Sequence, residues 1–99
     1  MYLVHARFET ATEIPLELDV VSQALLAPGD RVEHLSVHRR PPRHFVFGFY
    51  LLADALAEAE ARAERVSRRL LATGRLPPAR LLEAEAPLMP AELLGFGCA

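Results

Sequence analysis

A chain of 99 residues, 52% hydrophobic and 24% charged, with a formal net charge of −2, implies one soluble globular domain with no room for a second. The slight acidic excess excludes nucleic-acid binding driven by bulk positive charge. No stretch reaches the about 18 uninterrupted apolar residues that a membrane-spanning helix requires.

The opening residues MYLVHARFE hold neither a basic leader nor a long apolar core, so a cytoplasmic address is expected. Residues Tyr2 to Glu9 alternate, with Tyr2, Val4, Ala6 and Phe8 against Leu3, His5, Arg7 and Glu9. That period of two predicts a first strand with one buried face. The stretch TATEIPLELDVVSQALLAPGD carries a proline suited to a first helical turn, apolar positions at 16, 20, 21, 24 and 25, and a Pro28-Gly29-Asp30 stop. A short helix over 16–26 follows.

RVEHLSVHR alternates again, and a proline-containing turn separates it from HFVFGFYLL, which predicts an antiparallel pair, strands two and three. From Asp54 to Thr73 the residues Leu52, Leu56, Ala59, Ala63, Val66 and Leu70 fall along one stripe, and Gly74 stands just past the end. This is an amphipathic helix, with Glu58/Arg62 and Glu64/Arg68 four apart on its solvent side. RLLEAEAPL supplies a fourth, edge strand, with Leu82 and Ala84 on one face and Leu81, Glu83 and Glu85 on the other, ended by Pro87 and Pro90. Residues 1–90 therefore form the domain, and 91–99, AELLGFGCA, form a tail whose Cys98 reads as a free, unmodified thiol. A lone cysteine has no internal partner, in keeping with a reducing compartment.

Strand, helix, strand, strand, helix, strand is the ferredoxin-like βαββαβ order of the α+β class: a four-stranded antiparallel sheet with two helices on one face. Strands one and three are then central. If Tyr2, Val4, Ala6 and Phe8 lie beneath the helices, the open face receives His5, Arg7 and Glu9, with Glu83 and Glu85 beside them and His34, Ser36 and His38 from strand two. Strand three is apolar on both sides, with Val46, Gly48 and Tyr50 facing outward. An apolar patch of that kind marks a covered surface, and a second copy of the chain is the expected cover.

The element order and length, together with the APLMP exit from strand four, resemble the dimeric α+β barrel proteins, the superfamily of muconolactone isomerase, YCII-like proteins and small antibiotic-biosynthesis monooxygenases. The resemblance implies a homodimer enclosing a cavity lined by open-face residues, and a cofactor-independent activity. The tryptophan and asparagine of the monooxygenase type of site are absent, as is a clear match to the YCII His-Asp pairing.

HRRPPRHFVFGFY, residues 38–50, also resembles the third strand of an RNA-recognition motif through Arg43, Phe45, Phe47 and Tyr50. That arrangement needs Tyr2 on the open face, which buries His5 and Arg7 beneath the helices at a cost of several kcal/mol; no nucleic-acid partner is expected. His38 and His44, with the five residues RRPPR between them, fit directly opposite one another about 5 Å apart. Two ligands fall short of a zinc site, so no metal is assigned, and the neutral alternative is a solvated basic turn that blunts an edge. Arg39, Arg40 and Arg43 also suit a carboxylate or phosphate grip.

His5, oriented by Glu83 or Glu85, is the candidate general base; His5, Tyr50 and Glu83 form the candidate catalytic set. Arg7, His34, His38, His44 and Gly48 form the candidate ligand-contacting set. The expected function is a small homodimeric protein of bacterial, secondary metabolism that binds an organic metabolite over the open face and acts as a cofactor-free isomerase, cyclase or monooxygenase. The alternative is a non-catalytic accessory module that holds a partner protein or peptide there. The bacterial source is read from the basic residues, all eleven of them arginine, with lysine and asparagine absent, a pattern of GC-rich coding.

Overall fold

The computed structural model describes residues 1–86, so the expectations for Pro87 and Pro90, the 91–99 tail and Cys98 lie outside the described residues. The elements are β1 (Tyr2–Thr10), α1 (Leu18–Ala24), a short 3₁₀ turn (Pro28–Asp30), β2 (Val32–Arg40), β3 (His44–Leu51), α2 (Leu56–Ala72) and β4 (Ala79–Glu85). The four strands form one antiparallel sheet in the order β2-β3-β1-β4. β1 and β3 are central, and the arrangement is an α+β sheet compatible with a ferredoxin-like fold.

The helix-covered face follows from the alternation. Val4, Ala6 and Phe8 from β1 and Phe45, Phe47, Phe49 and Leu51 from β3 are fully buried, and they share one core with Leu18 of α1 and Ala59, Ala63, Val66 and Leu70 of α2. Both helices therefore lie on the same side. The Phe8 ring stacks on Phe45 at 4.8 Å, and Phe47 meets Phe49 edge-on at 5.8 Å, offset and perpendicular geometries that the aromatic quadrupole favours. Buried Thr10 is satisfied, since its Oγ1 donates to the Pro78 carbonyl at 3.1 Å and accepts the Thr12 N–H at 3.1 Å. Past the end of α2, Gly74 takes a left-handed φ of +75°, the conformation for which glycine carries no Cβ penalty.

Three expectations are corrected. α1 starts at Leu18, and its buried side is Leu18 and Ser22; Leu16 and Val20 are exposed. The Arg39 guanidinium donates to the carbonyls of Pro15 at 2.9 Å and of Leu16, within the turn that leads into the helix. Leu52 and Leu56, assigned to the α2 stripe, are exposed because the buried stripe begins at Ala59. In β4 the register slips between Arg7↔Glu83 and Phe8↔Leu81, leaving Leu82 as the extra residue of a bulge. Leu81 therefore packs on the core and Leu82 is exposed, the reverse of simple alternation. A regular strand points residues 80 and 83 to opposite faces; the bulge puts both on the open face. There Arg80 reaches Glu9 at 2.7 Å and Glu83 reaches Arg7 at 3.3 Å.

Candidate functional site

Cross-strand register turns the open face into rows. His34, Tyr50 and Leu3 form the first; Ser36, Gly48, His5 and Glu85 the second; His38, Val46, Arg7 and Glu83 the third; Arg40, His44, Glu9 and Arg80 the fourth. All four histidines of the chain thus share one surface.

Gly48 organises the second row. A Cβ built there would lie 2.5 Å from Ser36 Oγ and 3.7 Å from His5 Cδ2, so only a glycine leaves the serine hydroxyl its place above the strand. From that place Ser36 Oγ donates to the Gly48 carbonyl at 3.4 Å and lies 3.4 Å from His38 Nε2. Across the space above Gly48 the rings of His5 and His38 approach to 6.3 Å between centroids. Burial pushes the His5 pKa down, and the charges of His38 and Arg40 push it the same way: an imidazolium beside two cationic groups in a partly desolvated setting is disfavoured.

The expected pairing of His38 with His44 is not formed. The turn is confined to residues 41–43, so β2 runs on through Arg40, which takes the place opposite His44, while His38 lies opposite Val46. The two histidines stand a row apart. His44 faces Glu9, with Nε2 to Oε2 at 3.8 Å. Nor is Glu83 beside His5: it lies opposite Arg7 and pairs with it, and the carboxylate opposite His5 in register is Glu85. Among the described residues no hydrogen bond joins His5 to a carboxylate. Tyr50 stands at the far end of the face with His34, ring centroids 5.6 Å apart.

Two central residues are less bare than their composition suggests. Val46 is 9% exposed and Gly48 is buried, the latter closed over by Ser36 of β2 and Leu3 and His5 of β1. Among the exposed large apolar residues, Leu16, Val20 and Leu56 lie on the helices or the approach to them, whereas Leu82 of the β4 bulge is turned away from the core. The centre of the open face, at Val46 and Gly48, is therefore not a bare oily strip.

Over the hairpin end of the face lies a half-open cavity of about 530 Å³, walled by His5, Arg7, His38, Arg40 and His44, with Val46 and Pro41 as its apolar part and Phe8 and Phe45 of the underlying strands at its base. It collects four of the eight candidate residues; Tyr50, Glu83, His34 and Gly48 fall outside its lining. Arg40, which sequence reasoning left in the turn, belongs to it. The signal was the alternation itself, since extending β2 by one residue gives Arg40 the same parity as His34, Ser36 and His38. No protein-family model, no curated protein and no solved structure matches the chain. Among the described residues no group of three or more His, Cys, Asp or Glu side chains is placed to hold a metal, and no helix is long and apolar enough to cross a membrane.

Proposed function

We propose that the chain is a small ferredoxin-like metabolite-binding protein that receives an organic ligand in the cavity over the hairpin end of its open sheet face. The observation that carries this reading is the cavity itself: about 530 Å³, walled by His5, His38, Arg40 and His44 around an apolar floor, the combination of a few convergent polar groups and apolar lining that small-molecule sites share. The site is built on paired strands, so its groups are held by the sheet register. Binding is favoured over catalysis because Glu83 is taken up by Arg7, which leaves His5 without the oriented carboxylate that a His general base uses.

Two copies laid face to face would close the cavity mouth. Arg7, Arg40 and Arg80 interleave with Glu9, Glu83 and Glu85 on this face, a mixed field able to complement itself across a two-fold axis. An amide-resolved NMR screen of small organic fragments tests the binding reading. Shifts concentrated at His5, His38, Arg40 and Val46 are expected; shifts confined to the helices, or none with any fragment, contradict it. Sedimentation of the free chain over a range of concentrations tests the pairing.

A further inference from the structure

The cavity differs in charge from the molecule that carries it. The chain has 13 acidic residues against 11 basic ones, yet the cavity is lined by two arginines and three histidines and by no carboxylate among the described residues. Its two arginines are also unequal. Arg7 is neutralised by Glu83 at 3.3 Å. Arg40 has no ion pair or hydrogen bond among the described residues, although its neighbour Arg39 is fixed to the Pro15 and Leu16 carbonyls.

We propose that this cavity is the binding site for a small organic anion, with Arg40 as the anchoring cation and His38 and His5 completing the shell around the anionic group. The proposal rests on the reading of the open face as a ligand site and names the ligand's class. A guanidinium offers paired N–H donors that match a carboxylate or a phosphate monoester, and the apolar floor at Val46 and Pro41 suits the organic body attached to it.

The surroundings of His5 give this site a pH dependence. His38 and Arg40 face it from β2, Glu85 lies opposite it on β4, β3 contributes only Gly48, and the Arg7–Glu83 pair occupies the next row. Burial opposes protonation of His5, and His38 and Arg40 of β2 add to that opposition. An anion seated beside Arg40 offsets the charge part of that opposition, so binding draws a proton onto His5, and affinity rises as pH falls through the histidine range.

The test titrates the full chain with benzoate, phenyl phosphate and neutral benzamide at pH 6 and pH 8, following backbone amides and histidine ring resonances by NMR. Both anions, or one of them, are expected to move the His5 and His38 rings, to bind more tightly at pH 6, and to raise the His5 titration midpoint; their order distinguishes a carboxylate from a phosphate site. Arg40→Gln is expected to weaken anion binding about tenfold or more, the loss of a charge-assisted pair. Benzamide bound as tightly as benzoate, or anion affinity unchanged in Arg40→Gln, overturns the anion assignment while leaving the open face a ligand site. An open face silent to both anions also overturns it, and silence to every neutral fragment as well overturns the wider reading. The benzoate–benzamide contrast uses only the unaltered chain, so it stands whatever the variant does to folding.

Discussion

The two faces of one sheet carry opposite instructions in the same strands. Beneath the helices β1 and β3 present Val4, Ala6, Phe8, Phe45, Phe47, Phe49 and Leu51, all fully buried. On the other side the same strands present His5, Arg7, Glu9 and His44, joined by His34, His38 and Arg40. One face supplies the buried core, and the other carries most of the sheet's ionisable side chains. β3 shows the division most sharply: its phenylalanines are covered by helices, and on the other side Gly48 is closed over by Ser36, Leu3 and His5.

The largest expected effect breaks the helix face. Phe47→Ala removes a ring packed against Phe8, Phe45 and Phe49 and should cost about 3–5 kcal/mol of unfolding free energy by denaturant titration, a large share of the about 5–15 kcal/mol that holds most domains together. His5→Gln, on the opposite face of the same sheet, should stay within about 0.5 kcal/mol at neutral pH. Equal losses would erase the division of labour.

Gly48→Ala tests the open face at its tightest point. The added methyl meets Ser36 Oγ at 2.5 Å, so a loss of about 1–3 kcal/mol is expected, and Ser36→Ala introduced alongside should recover most of it. A loss unchanged in the double variant would place the strain in the backbone and not in the serine. Arg39→Gln, which withdraws the donors from Pro15 and Leu16, should cost about 1 kcal/mol, with hydrogen exchange quickening around α1 before the sheet. The smallest effect belongs to Glu64 and Arg68, exposed and 3.1 Å apart on α2; a double-mutant cycle there should return no more than about 0.5 kcal/mol.

Much of this was legible in the alternation. Tyr2 to Glu9 has a strict period of two, and the structure pairs it centrally with its apolar set inward; Gly74 and the exposed Glu64–Arg68 pair of α2 stand where their spacing puts them, and Glu58 pairs with Arg62, whose side chain is largely buried and not on the solvent side. Periodicity failed where one residue was added or withheld. The bulge at Leu82 exchanges the faces of Leu81 and Leu82, and two adjacent leucines carry no mark of which one is extra. The length of the hairpin turn decided whether His38 meets His44 or Val46, and RRPPR allows either a five-residue loop or a three-residue turn with both strands extended. Leu16 and Val20 suit a helix stripe, but a seven-residue helix buries only one narrow side, and Leu18 with Ser22 occupies it. Half of the candidate residues line one cavity, and their expected neighbours were misjudged, because partners depend on register and register depends on bulges and turns.

The central claim is that His5 lies partly desolvated above Gly48 and faces His38 and Arg40 of β2. Its lowered pKa makes the folded state the weaker proton acceptor, so the chain should lose stability as pH falls through the histidine range, and His5→Gln should flatten that slope. The most direct measurement follows the His5 ring resonances through a pH titration of the free chain. The account predicts a midpoint below the ordinary 6.5 that moves upward in both Arg40→Gln and His38→Gln. A midpoint at or above 6.5, indifferent to both substitutions, would contradict it.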